Sequence, residues 1–155
     1  LAQAVDELDT TIGQIRATIF DLHHATADTG LRSRVKAVVA ELEPVVGTHI
    51  QLAWSGPIDT LVDSGLVTDV ESVVREAMTN AARHAQASTL RVMINAGRDR
   101  LTIDVSDDGV GLRESARRSG LANLRDRAHR RGGTLSLENQ EQGGLRLRWS
   151  IPLPM

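Results

Sequence analysis

VESVVREAMTNAARHA, residues 70–85, carries two different patterns on two faces of one helix. Val70, Val74, Ala77, Met78, Ala81 and Ala85 recur at three- and four-residue steps, which predicts an amphipathic helix with a buried apolar stripe. On the other side, at about 100° per residue, Glu76, Asn80 and Arg83 stack in one row, with His84 beside it. A carboxylate, an amide oxygen and two cationic or donor groups on successive turns suit a magnesium-bound polyphosphate: oxygen for the metal, positive charge for the phosphates. Taken alone, the same row also describes a solvated helix face with an i, i+4 polar pair.

Downstream, Thr89–Ala96 and Leu101–Ser106 alternate apolar and polar residues around a turn at Gly97–Arg100, which predicts an antiparallel hairpin with one buried face. Its second strand runs straight into Asp107-Asp108-Gly109-Val110-Gly111. Gly109 and Gly111 let the backbone turn sharply and let a flat ligand approach the main chain. Asp107, at the mouth of that loop, could accept a hydrogen bond from an exocyclic amine and so select adenine over guanine; an Asp-Gly pair by itself is more often a turn. Residues 112–119 are polar and arginine-rich, without an apolar period. Gly120 then opens a helix that stops at Gly132-Gly133, and its start, Gly120 and Leu121, offers unpaired N–H groups and the positive dipole end to an anion. Seven arginines face two acids over residues 113–131, so this neighbourhood is locally positive; Arg127, Arg130 and Arg131 read as solvating the outside of the helix. Two more strands, Thr134–Glu138 and Leu145–Ile151, flank a turn at Gly143-Gly144.

Upstream, Val5, Leu8, Ile12, Ile15, Ile19 and Leu22 form a heptad seam that wants a partner helix, either its own domain or a dimeric bundle. His23 and His24 close that helix, where a basic group suits a C-terminus. Leu31–Val46 reads as a second helix with Pro44 loosening its last turn, His49–Trp54 as a half-buried strand, and Thr68 or Asp69 as the N-cap of the central helix.

At 155 residues and 41% hydrophobic, the chain can bury one real core. A net charge of −2 argues against a general polyanion-binding surface, and 2% aromatic residues are too few for base-stacking platforms, so no nucleic-acid partner is expected. The absence of cysteine removes disulfides and thiolate chemistry and fits a cytoplasmic location. No apolar run approaches the length of a membrane span, so no membrane contact is expected of these residues. A start in mid-helix without Met suggests part of a longer protein.

Together, Glu76-x-x-x-Asn80-x-x-Arg83-His84, then Asp107-Asp108-Gly109-Val110-Gly111, then Ser119-Gly120-Leu121-Ala122-Asn123-Leu124, resemble the three boxes of the GHKL ATPase superfamily in order and spacing. More narrowly the chain resembles the catalytic domain of sensor histidine kinases of the nitrate-sensor and lipid-fluidity-sensor type, with Asp21-Leu22-His23 and Pro152-Leu153-Pro154 fitting too. The cast of Leu8–Arg16 is similar to the actinobacterial dormancy sensors. The resemblance implies an α+β sandwich, the Bergerat fold: a mixed, mostly antiparallel sheet with helices on one face. It implies residues 1–26 as the second helix of a dimerisation and phosphoacceptor bundle whose acceptor histidine lies elsewhere, and 31–155 as the ATP-binding domain. Glu76 would be catalytic; Asn80 would hold Mg2+, which bridges the phosphates of ATP; Arg83, His84, Gly120 and Leu121 would lie by the triphosphate; Asp107, Gly109 and Gly111 would hold adenine; and 112–119 would be a short ATP lid. Expected partners are the acceptor bundle, a second copy in a homodimer, and a response regulator. Leu145 stands where the family commonly has a threonine that helps bind adenine through water. A regulatory nucleotide-binding module without kinase activity is the alternative.

Overall fold

The computed structural model describes residues 4, 7, 8, 10–15, 30–84, 86–111 and 120–154. Val5, Ile19, Leu22, His23, His24, Ala85 and the 112–119 segment lie outside them, as does the side chain of His84. The chain divides into two units, residues 1–30 and 31–155. In the first, residues 10–15 are helical, and Leu8, Ile12 and Ile15 from the expected seam are exposed.

The second unit is a five-stranded sheet and its helices, in the order α1 (Leu31–Val46), β1 (Ile50–Ser55), α2 (Ile58–Leu61), α3 (Ser64–His84), β2 (Leu90–Ala96), β3 (Arg100–Asp107), α4 (Gly120–Arg130), β4 (Thr134–Asn139) and β5 (Leu145–Pro152). Strands lie in the order β1-β2-β3-β5-β4; β1 pairs parallel with β2 and every other pair is antiparallel. This is the mixed, mostly antiparallel sheet expected from the sequence.

Alternation fixes which face is covered. Val92 sits opposite Val105, and Val105 opposite Leu147; Ile94, Ile103 and Trp149 make the next row, Ala96, Leu101 and Ile151 the one after. All nine are buried, and with Val70, Val73, Val74, Ala77 and Met78 of α3 and Leu31, Val35 and Val38 of α1 they form one core. Each buried aliphatic side chain contributes about 1.5–3 kcal/mol to that core. Carrying the parity one step further puts Asp107 opposite Leu90 in the same buried column, while Asp108 falls on the other side.

The central helix begins earlier than predicted. It starts at Ser64, where Asp63 Oδ1 accepts the Leu66 N–H at 2.8 Å, so Asp63 performs the capping expected of Thr68 or Asp69. α1 runs from Leu31 to Val46 as expected, with Pro44 inside it, and closes with Gly47, at φ 77°, donating its N–H to Glu43 O at 3.0 Å.

α4 is pinned at two points. Leu121, Leu124 and Ala128 bury its apolar side, and the Trp149 indole N–H reaches the Leu124 carbonyl at 3.1 Å from within the core. The arginines in and just after α4 are not all solvent ornaments: Arg127 pairs with Asp69 of α3 at 3.0 Å, and Arg131 engages the other oxygen of the same carboxylate, whereas Arg130 donates to Asp126 O. Replacing Trp149 by Phe keeps most of the ring volume and removes the indole donor, while the Leu124 carbonyl keeps its place in the α4 helical ladder, so the cost is that of one neutral hydrogen bond, roughly 0.5–1.5 kcal/mol. A urea denaturation midpoint lowered at unchanged slope is the expected result.

Candidate functional site

Asp107 is built into the end of β3 by the parity that buries its neighbours, and its residue is only 8% exposed. Its Oδ1 accepts the Gly109 N–H at 2.9 Å, which closes the loop after the strand, and the Leu145 N–H at 3.3 Å from the start of β5. Two donors on one oxygen leave Oδ2 without a hydrogen bond among the described residues, available to an amine. Gly109 thus acts first through its N–H. Gly111, at φ 77°, has its Cα against the Asn139 side chain, where a Cβ would stand 2.8 Å from Oδ1. The freedom of Gly111 is spent on packing the loop against the β4–β5 turn.

Asp108 faces the opposite way and does a different job. Its carboxylate accepts the Thr89 N–H at 2.9 Å, the Ser88 N–H at 2.8 Å and the Ser88 hydroxyl at 2.7 Å, tying the end of β3 to the entry of β2. These bonds, the Thr89 N–H foremost and the Ser88 hydroxyl next, lower its pKa from 3.8 to about 2. The folded value lies below the unfolded one, so the bonds stabilise the fold above the unfolded pKa and the gain disappears as pH falls from about 4 toward about 2. The wild-type urea midpoint is expected to drop through that window more steeply than that of Asp108→Asn, the two converging at the acid end.

The second half of the site lies where α3 meets the start of α4. The row predicted on α3 forms within one unbroken helix. Gly120 packs so closely on it that a Cβ there would overlap Glu76 Oε1 and stand 3.3 Å from Asn80 Nδ2. Asn80 Nδ2 is buried and has no hydrogen-bond partner among the described residues, a state that a native interior rarely leaves uncompensated. Rotating the amide would put its oxygen there instead, so the position can serve either a phosphate oxygen or a cation. Glu76, half-buried, takes no hydrogen bond among the described residues. Arg83 is exposed at the last turn of α3. Leu121 points into the core, so its backbone N–H is what it can offer an anion.

Among the described residues no three His, Asp or Glu side chains cluster as a metal cage. A cation at Asn80 would therefore share its coordination with ligand oxygens, which is how Mg2+ is ordinarily held beside phosphates. No helix among these residues is long and apolar enough to cross a membrane.

Several parts of this arrangement went unmarked in the sequence. Asp108 is in the motif, but only strand parity separates its role from that of Asp107. The Leu145 N–H and the Asp69 clamp on α4 arise from tertiary packing. Gln140 likewise enters only here: its side-chain Nε2 donates to the carbonyls of Asp107 at 3.1 Å and Leu145 at 3.3 Å.

The family described as "Histidine kinase-, DNA gyrase B-, and HSP90-like ATPase" matches residues 65–155. The nitrate/nitrite sensor protein NarX of Escherichia coli is 30% identical over 147 residues, 93% of this chain and 24% of NarX. The sensor histidine kinase NarS of Mycobacterium tuberculosis is 34% identical over 143 residues, 87% of this chain and 33% of NarS. The chain thus spans a quarter to a third of these relatives. Among solved structures, the ATP binding domain of PrrB from Mycobacterium tuberculosis aligns with a TM-score of 0.60 at 24% identity, over 82% of this chain and 96% of that one. Full-length ShkA in complex with AMPPNP aligns with a TM-score of 0.68 at 18% identity, over 83% of this chain and 31% of ShkA. These likenesses share the fold, and the family match, which takes in more than half of the residues, places the chain among the histidine kinase-, DNA gyrase B- and HSP90-like ATPases, whose domain binds ATP.

Proposed function

We propose that this chain is the catalytic domain of a sensor histidine kinase, transferring the γ-phosphoryl group of ATP to a histidine outside these residues, from which it passes to an aspartate of a response regulator. The observation that carries the proposal is the meeting of Gly120, Glu76 and the unpartnered Asn80 amide at the head of α4. Sensor-kinase relatives along most of the chain favour a kinase over a binding module that only reports nucleotide occupancy.

Asp107 Oδ2 accepts the adenine amine, and Gly109 and Gly111 keep the loop thin beside the base. The N–H groups at Gly120 and Leu121 hold phosphate oxygens at the positive end of α4. Asn80 supplies an oxygen to Mg2+, and the ion, when bound, offsets charge on the phosphates. Arg83 adds positive charge at the last turn of α3, and the resemblance assigns His84 to the same triphosphate. Glu76 orients the attacking group against the γ-phosphorus. Phosphoryl transfer needs little covalent help from a protein, so most of the acceleration is positioning and charge stabilisation.

Residues 1–26, with the exposed Leu8, Ile12 and Ile15, belong to the dimerisation and phosphoacceptor bundle of a homodimeric, cytoplasmic kinase. The character of residues 8–16 aligns the parent with the actinobacterial dormancy sensors. Mixing this chain with a separately made acceptor bundle and γ-labelled ATP tests the assignment. Label on the bundle histidine supports it; ATP binding without transfer to any bundle, including one fused in cis, leaves the occupancy-reporting module instead.

A further inference from the structure

The acid that reads the base is held from a distant part of the chain. Of the two N–H groups on Asp107 Oδ1, one belongs to the adjoining loop and the other to Leu145, thirty-eight residues away on β5. The β4–β5 turn must stay in place for the second bond to form, and Gln140 holds it. The Gln140 N–H donates to Gly144 O at 2.9 Å, its carbonyl accepts the Gly143 N–H at 3.1 Å, and its side-chain Nε2 bridges the carbonyls of Asp107 and Leu145. Gly144, at φ 94°, lies so close to Asp107 that a Cβ would overlap the Asp107 carbonyl. The turn is therefore latched to the main chain of Asp107 and, through the Leu145 N–H, to its side chain.

We infer that Gln140 is a positioning residue that sets nucleotide-base specificity by fixing the Asp107 carboxylate, with Oδ1 anchored and Oδ2 presented to a 6-amino purine. The inference rests on the assignment of Asp107 to the base. A carboxylate held by two donors on one oxygen cannot rotate without losing both, so the remaining lone pairs keep one direction. Without the Nε2 bridge the turn loosens, the Leu145 bond lengthens, and the carboxylate samples orientations that no longer favour the amine.

The test compares magnesium-ATP with purine riboside 5′-triphosphate, which lacks only the 6-amino group, by calorimetric titration of this chain. Gln140→Ala is expected to weaken ATP by about three- to tenfold, the scale of one or two neutral hydrogen bonds. The analogue should change less than about twofold, within the context scatter of such a bond. Gln140→Glu keeps the size of the side chain and loses both donors, so it should contract the ATP preference at least as far as Ala. Gln140 is exposed, and a urea denaturation midpoint for each variant verifies folding. Equal weakening of both nucleotides, or an unchanged preference in either folded variant, overturns the inference. If the unsubstituted chain binds both nucleotides alike and Asp107→Asn alters neither, the assignment of Asp107 has failed and the role of Gln140 falls with it. A preference abolished by Asp107→Asn but kept in Gln140→Ala removes Gln140 alone.

Discussion

Asp107→Asn is expected to lower the affinity of this chain for magnesium-ATP by about a hundredfold or more, since a site built around a polar contact rejects a mismatched partner steeply. The amide oxygen can take over the place of Oδ1, because the Gly109 and Leu145 N–H groups select the atom that accepts. The amide nitrogen then occupies the position of Oδ2 and turns a donor toward the adenine amine, itself a donor. The fold should survive, since the anchored oxygen keeps both of its bonds and the volume is unchanged. Guanine carries a carbonyl where adenine carries the amine, so the variant should lose less for GTP than for ATP. Titration with both nucleotides checks this; ATP affinity within a few fold of the parent would mean that Asp107 does not read the base.

The strands that place Asp107 were legible because their signal is local. Leu90, Val92 and Ile94, then Leu101, Ile103 and Val105, alternate without interruption, and the same count carried two residues on buries Asp107 and turns Asp108 outward. The row of Glu76, Asn80 and Arg83 was legible for the same reason, being a property of one helix. The start of that helix was not: Gly65 looks like a breaker, and Asp63 lies outside the apolar period that announces the helix. Arg127 and Arg131 looked like solvated charges because their partner, Asp69, is 58 and 62 residues away in the chain and only the packing of α4 on α3 brings it near. Gln140 left no trace in the sequence, because what it binds are carbonyl groups, which every residue possesses. Leu145 shows the converse. Its side chain was expected to cost the site a contact, yet its N–H reaches Asp107, a contact that depends on the backbone path and on Gly144 rather than on side-chain identity.

Glu76→Gln is expected to separate binding from chemistry. The substitution preserves the shape that packs on Gly120 and removes the charge, so the head of α4 should stay in place and hold phosphate oxygens as before. Loss of a negative group beside a polyanion would, on Coulomb grounds alone, leave ATP bound equally or slightly more tightly. Transfer to a separately made acceptor bundle should nevertheless fall by about 10²–10⁴-fold, the usual contribution of a positioned base or orienting carboxylate. Asn80→Ala provides the contrast. Removing the buried amide takes away the oxygen assigned to Mg2+, so that variant should lose magnesium-dependent ATP affinity, whereas Glu76→Gln should keep it. Single-turnover transfer measured at saturating ATP distinguishes the two, because saturation restores the rate of a variant impaired only in binding. Transfer by Glu76→Gln at the parent rate would assign the carboxylate to packing against Gly120 and leave the acceleration to the helix terminus, the cation and the acceptor's own geometry.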